Sequence, residues 1–219
     1  MLHDQETYGS GRAQVFRETA EANGIEILAF EGIDPKAGSY ASIMQKVVDA
    51  GADMVYFGGL VDTGAPQLIK DLRDIEEDPE AIKFLSGDGI VESSLVDGAG
   101  EAAAGTYGTV AFGPPSEFTG AAKEFYDAYK AQYNTEPEPY AIFGYDSMGV
   151  ALTAIDRACS KDPKAILDAL NNLGSYDGAL GSFSFDENGD TTLETYHGWQ
   201  VKDGRWQWVE ELSAEAPQG

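Results

Sequence analysis

The feature that most constrains this chain is an alternation of short apolar runs with helically striped segments, sustained from the first residues to Pro114. Ala13, Val15, Phe16 and Ala20 stripe a helix over residues 11–22, closed by Asn23 and Gly24, and residues 25–30 read as a strand. Tyr40, Ile43, Met44, Val47 and Val48 stripe a second helix ending at Gly51; an apolar strand over 54–57 then stops at Gly58 and Gly59. A third helix over 67–75 leads to a strand at 83–85, a turn at 86–89 and, later, a strand over 106–112. Such lengths in alternation predict an α/β fold, a three-layer αβα parallel sheet with helices on both faces. The start departs from the pattern. Only Met1, Leu2 and His3 precede the loop at 4–9, about 10 Å of strand at the usual rise, so a short edge strand is expected there.

Gly113, Pro114 and Pro115 stop both helix and ladder and mark a candidate hinge. Beyond them the pattern predicts helices over 118–133, 141–159 and 163–173, the last with Pro163 in its first turn and Gly174 past its end. After Gly181 the period becomes strand-like. Phe183 and Phe185 share a face, Asn188 and Gly189 supply a turn, and residues 192–201 and 206–209 read as antiparallel strands around Asp203 and Gly204. The tail over 213–219 is small and acidic and is expected to fray.

Composition narrows the partners. Fourteen Lys and Arg against 38 Asp and Glu give a formal charge of -24, a field that repels nucleic acid and anionic lipid surfaces. No stretch approaches the roughly 20 apolar residues of a membrane span, and the N-terminus lacks the blocks of a signal peptide. The lone Cys159, in the apolar run ALTAIDRAC, can form no internal disulfide and is expected to be a small buried helix residue.

Catalytic and metal chemistry find no support in the residues. His3 and His197 stand apart from Cys159, too few ligands for zinc and no cluster. Ser147, in GYDSMG, lacks the spacing of a nucleophile elbow and is expected at a helix start instead of after a strand. Gly9 and Gly11 in TYGSG come with no Walker lysine and beside Asp4 and Glu6, which argues against a phosphate loop. FDENGD at 185–190 breaks the order of a calcium loop and is expected to be a hairpin turn. No cofactor is implied.

What remains is a set of strand ends. Ligands of open parallel sheets gather outside the carboxyl ends of the strands, where this sequence places Tyr8, Gly58 and Gly59 followed by Leu60, and Asp88 between two glycines. An anion, an apolar side chain and a phenol together suit a small zwitterion, the carboxylate meeting its ammonium.

Five segments in order, HDQETYGSGRAQVF, FEGIDPKAGSYASIMQKVVDAGADMVYFGG, LSGDGI, PYAIFGYDSMGVALTAID and SFSFDENGD, resemble the leucine, isoleucine and valine receptors among type I periplasmic binding proteins. The resemblance implies a Venus-flytrap fold of which most of the first lobe is missing: residues 1–113 as a second-lobe-like α/β domain, 114–181 as a crossover helical segment belonging mostly to the first lobe, 182–212 as strands near the hinge, and 213–219 as a tail. It implies roles for Tyr8 as a cleft tyrosine, Leu60 as a ligand-facing residue, Asp88 as the acceptor of the ligand ammonium and Tyr140 as a further cleft aromatic. Leu60 stands where some relatives carry an aromatic, which leaves the recognised side chain open.

The expected function is recognition of a branched-chain amino acid or an amide for an ABC-type importer, without covalent chemistry. A small amino acid or amide ligand and the importer's membrane permease are the implied partners, and the parent protein is expected in the periplasm or outside the cell. The alternative is a self-associating, non-binding fragment or scaffold, because the segment over 141–159 carries apolar residues on several faces. An enzyme on the same scaffold would need a nucleophile, a base and an orienting group, and the sequence offers no such set.

Overall fold

The computed structural model describes residues 1–212. The tail over 213–219, expected to fray, lies outside the described residues. The chain divides into two compact units, one formed by Met1–Ala111 with the returning strands over Tyr196–Leu212, the other occupying residues from Phe112 to Thr195.

In the first unit, β1 (Leu2–His3), β2 (Glu31–Gly32), β3 (Met54–Gly58), β4 (Lys83–Ser86) and β5 (Tyr107–Val110) are parallel, and β8 (Tyr196–Lys202) and β9 (Arg205–Leu212) are antiparallel, in the order β2-β1-β3-β4-β5-β8-β9. The helices between parallel strands are α1 (Thr7–Ala22), α2 (Ala41–Asp49), α3 (Ala65–Arg73) and α4 (Ser93–Ala99). Side chains of alternate strand residues take opposite faces. Val55, Phe57, Phe84 and Leu2 join Met44, Leu68, Leu72 and Leu95 of α2, α3 and α4 in one buried core, while Tyr56 turns to the other face and stacks on Phe16 of α1 at 3.8 Å. Truncating one of these fully buried leucines to alanine removes about 2–5 kcal/mol. The Trp206 indole N–H donates to Glu92 O at 2.9 Å and ties β9 to the segment before α4.

The expected parallel α/β layer is present in β1 to β5, with an antiparallel pair closing one edge of the sheet. Three details differ from the sequence reading. β1 is central, not an edge: the chain crosses from β1 to β2 on one side, then returns past it to β3 on the other, so two residues are held between neighbours and Leu2 is 2% exposed. Residues 25–30 form no strand, since β1 offers partners only at Leu2↔Glu31 and His3↔Gly32 and the pairing falls after that run. The seven-residue α4, too short for a periodic stripe, went unread.

The second unit contains α5 (Gly120–Tyr133), α6 (Tyr140–Ala158), α7 (Pro163–Asn171) and a hairpin of β6 (Tyr176–Gly178) with β7 (Gly181–Phe183). Val150, Leu173 and Phe183 form its small core, with Leu170, Tyr176, Phe185 and Leu193 packed around them. Asp162 caps α7 by accepting the Ala165 N–H at 3.0 Å, with Pro163 at the first helical position. Asp146, on α6 and 1% exposed, accepts the N–H groups of Ala179 at 2.8 Å and Leu180 at 2.7 Å, fastening the hairpin turn.

The run at 185–190 is a turn: Asp186 accepts the N–H groups of Asn188 at 2.8 Å and Asp190 at 2.9 Å, and Phe185 bridges Thr191. Those backbone donors, Asp190 foremost, hold the Asp186 carboxyl below its ordinary range. Two placements are corrected. Ser147 lies inside α6, not at its start, because the helix begins at Tyr140. Cys159 is exposed, because it stands one residue past α6, where the chain turns left-handed at φ 46° to leave the helix.

Candidate functional site

The strand order changes direction between β1 and β3, whose chain connections leave to opposite sides of the sheet. Such a switch point leaves a crevice at the carboxyl ends of the strands. Tyr8 follows β1, Leu60 follows β3 and Asp88 follows β4, so three of the four residues singled out in the sequence meet there.

Close backbone packing makes this approach possible. A Cβ on Gly9 would overlap the Asp4 carboxylate and Gly58 O, and one on Gly58 would overlap Gly9 O. The first turn of α1 therefore lies directly on the end of β3 and carries Tyr8 over the strand ends. Gly11, by contrast, has open space where its Cβ would be. Asp4, 1% exposed, accepts the Glu6 N–H at 3.0 Å and its own N–H donates to Gly58 O at 3.0 Å, which fixes the loop leading into α1. On the other wall, a Cβ on Gly87 would strike the Arg12 guanidinium, and one on Gly89 would lie 2.7 Å from Leu60 Cδ2 and 3.4 Å from Tyr8 Cε1. Gly89 also approaches the Gly59 carbonyl, whose backbone cannot give way to a Cβ, whereas at Gly87 the Arg12 side chain would have to move.

The Tyr8 hydroxyl donates to Asp88 Oδ1 at 2.7 Å, and Arg12 Nη1 lies 3.2 Å from the same oxygen. The Arg12 guanidinium also sits 5.6 Å from the centre of the Tyr8 ring. Burial, then the hydrogen bond to Asp88, pushes the Tyr8 phenol well above its ordinary pKa, so Tyr8 is a neutral donor. For Arg12 burial works against the charge, and Asp88, Tyr8 and Tyr56 together more than offset it, leaving the guanidinium above its usual value. Tyr56, raised mainly by burial, hydrogen-bonds Arg12 beneath the cluster. Tyr8 and Leu60 are each 40% exposed, while the Asp88 side chain is 29% exposed, so a carboxylate is seated at the base of a rim that is half phenol and half hydrocarbon.

Arg12 is the participant that sequence reading missed. It stands four residues after Tyr8 on the same helix face, and the signal was that spacing; placing the helix start at residue 11 instead of Thr7 hid it. Tyr140, the fourth expected residue, is the first residue of α6 in the second unit and is 40% exposed. His197 accepts a hydrogen bond from the Trp208 indole at 3.2 Å within the β8–β9 pair, a structural position. Among the described residues no group of three or more His, Cys, Asp and Glu side chains is arranged to hold a metal ion, and no helix is long and apolar enough to cross a membrane.

Residues 1–205 match the sequence pattern of a family described as periplasmic binding protein. A Leu/Ile/Val-binding protein homolog 1 from Brucella abortus (strain 2308) is 29% identical over 214 residues, which cover 96% of this chain and 56% of that protein. Homolog 2 from the same strain is 31% identical over 198 residues, 90% of this chain and 51% of its own length. The chain thus spans about half the length of these curated relatives. Among solved structures, the branched-chain amino acid transporter substrate binding protein LivJ from Streptococcus pneumoniae, in complex with isoleucine, superposes with a TM-score of 0.81 at 26% identity, covering 95% of this chain and 58% of that one. A leucine binding protein, LivK, from Thermotoga maritima gives a TM-score of 0.86 at 23% identity, over 97% of this chain and 60% of that one, a likeness of fold.

Proposed function

This chain belongs to the periplasmic binding protein family, and from that premise we propose that it supplies one wall of an amino acid or short amide site in a receptor serving an ABC-type importer. The observation that carries the reading is Asp88, a carboxylate set between two closely packed glycines at the carboxyl end of β4, with Tyr8 and Leu60 beside it. The carboxylate takes the ligand's ammonium or amide N–H, Tyr8 holds the carboxylate in place, and Leu60 and the Tyr8 ring contact the hydrocarbon part. Arg12 modifies this role. Asp88 is already paired with a guanidinium, so the incoming donor joins a shared carboxylate instead of a bare one, which favours ligands that bring a carboxylate or carbonyl along with their N–H groups. Tyr140 is proposed as a further aromatic of the ligand site. The work is recognition, without bond making, and the parent protein acts in the periplasm or outside the cell.

Calorimetry with leucine, valine and a short aliphatic amide tests the proposal. The expected result is feeble or undetectable uptake by the 219-residue chain, which holds Asp88 in reach of water, and clear binding once it is joined to the first lobe of a homologous receptor. Failure of all three ligands in the joined protein would refute the reading.

A second reading rests on a different observation. Tyr145, Met148, Leu152 and Ile155 of α6 are exposed by 56%, 59%, 57% and 43%, a concentration of apolar surface on one helix that suits association with a second copy. Sedimentation over a hundredfold concentration range decides it; a monomer throughout contradicts self-association.

A further inference from the structure

Arg12 is held by four neighbours. It stands one turn after Tyr8 on α1, and its guanidinium lies against the backbone after β4: a Cβ on Gly87 would strike Nη2, Cζ and Nε together. Nη1 is 3.2 Å from Asp88 Oδ1, the group sits 5.6 Å from the centre of the Tyr8 ring, and the Tyr56 side chain hydrogen-bonds it. Tyr56 is itself fixed by stacking on Phe16 at 3.8 Å. A planar fork oriented in this way loses little freedom when it takes a further acceptor. Capacity for one remains. The Arg12 and Asp88 side chains are 34% and 29% exposed, a guanidinium carries five N–H donors, and an ionised carboxylate accepts at about four positions.

The consequence is electrostatic. Asp88 alone would make this wall an anion, for which any ammonium would serve. With a guanidinium at the same oxygen that the Tyr8 hydroxyl meets, the ion pair has no net charge and sets an acceptor beside a donor. An ammonium reaching Asp88 also comes close to Arg12, and at comparable distances the repulsion is of the same order as the attraction. An oxygen carried on the same or the adjacent carbon reverses the balance, because Arg12 then donates to it. A primary amide does this without charge and an α-amino acid does it with both its ends; a plain amine cannot. Leu60 Cδ2 and Tyr8 Cε1 border Gly89 beside the pair, which leaves apolar surface for a short hydrocarbon.

We propose that Arg12 is a specificity-determining residue that contacts the solute directly: it receives the ligand's carboxylate or carbonyl oxygen while Asp88 takes the N–H, so that plain amines are excluded. The inference rests on the solute-binding reading above and adds to it that both polar groups of the ligand sit on this one wall. If Arg12 instead only propped the Asp88 carboxylate, replacing it would alter the affinity of every ligand alike. A selective change is what separates the two roles.

The test uses leucine, isovaleramide and isopentylamine, which share an isobutyl group and differ in the polar end. Each is titrated into the isotope-labelled 219-residue chain while the Arg12 guanidinium and Asp88 carboxyl resonances are followed. Leucine and isovaleramide are expected to move both signals, and isopentylamine to require about tenfold more for any shift. In Arg12→Met the amine should gain about tenfold and the amide lose about tenfold, whereas Arg12→Lys keeps the charge and still excludes the amine. An equal change of all three affinities in Arg12→Met would overturn the proposal, as would an amine that moves the Arg12 signals as readily as leucine does. If Arg12→Met does not fold, the wild-type signals and Arg12→Lys decide. If no probe moves a signal in this chain, calorimetry of the chain joined to a homologous first lobe makes the same comparison. There, rejection of the amine that survives Arg12→Met overturns this proposal alone, and failure of every probe refutes the solute site and the proposal with it.

Discussion

Replacing Asp146 by alanine should unfasten the second unit. The carboxylate is 1% exposed and accepts two backbone N–H groups from the hairpin turn, at 2.8 and 2.7 Å. A hydrogen bond to a charged group contributes about 1.5–3 kcal/mol, and a buried donor left without a partner costs about 1–3 kcal/mol. Ala179 is 7% exposed and loses its partner outright, whereas half-buried Leu180 regains part of its bond from water. The net loss is therefore about 3–5 kcal/mol, or a midpoint lower by about 10 °C at about 2–4 °C per kcal/mol. Asp146→Asn keeps one acceptor and points an amide at the second donor, so it should fall between. The assay can locate the effect, because all three tryptophans, Trp199, Trp206 and Trp208, lie on β8 and β9 of the first unit. The helical circular dichroism transition should move by the full amount and the tryptophan fluorescence transition by less. An unchanged dichroism midpoint in Asp146→Ala would refute the assignment of the turn's stability to this side chain.

Glycines at the site give a paired expectation: Gly58→Ala overlaps Gly9 O and lies 2.9 Å from Ala13 Cβ, so it should lose about 1–3 kcal/mol by forcing α1 off β3, while Gly11→Ala in open space should gain up to about 1 kcal/mol; thermal unfolding of both checks the contrast. Arg12→Gln removes a partly exposed pair, with side chains 34% and 29% exposed, so stability should change by less than about 1 kcal/mol, but ligand affinity of the joined protein should shift because Asp88 loses a fixed partner. Alkaline pH should destabilise the first unit. Tyr8 and Tyr56 both hold their protons more tightly in the fold, so the stability they contribute is complete below the unfolded tyrosine value, about 10, and declines as pH rises above it; urea midpoints at pH 9 and 10.5 should show a smaller decline in Tyr8→Phe.

The core layer and the candidate site were legible in the sequence for different reasons. Val55 and Phe57, or Met44, Leu68 and Leu72, reveal themselves by period, because burial on one face imposes it. Tyr8, Leu60 and Asp88 could be proposed together because glycines and strand ends mark where side chains gather at the carboxyl edge of a parallel sheet. Arg12 could not, since its role depends on a helix start four residues earlier than the apolar stripe suggests. The central place of β1 was also hidden: two residues carry no period, and their position is decided by β2 and β3, which come later in the chain. Cys159 looked buried from its apolar company, but the left-handed turn after Ala158 is a property of the helix end and not of that composition.

The central claim is that Asp88 is the electrostatic anchor of a solute site, and the most direct measurement is calorimetry of the chain joined to a homologous first lobe, with Asp88 and with Asp88→Asn. Truncating one member of a desolvated, hydrogen-bonded charge pair costs about 2–5 kcal/mol, so leucine or amide affinity should fall by about 30-fold to several thousandfold. An affinity unchanged by Asp88→Asn in a folded, ligand-binding protein would contradict the account.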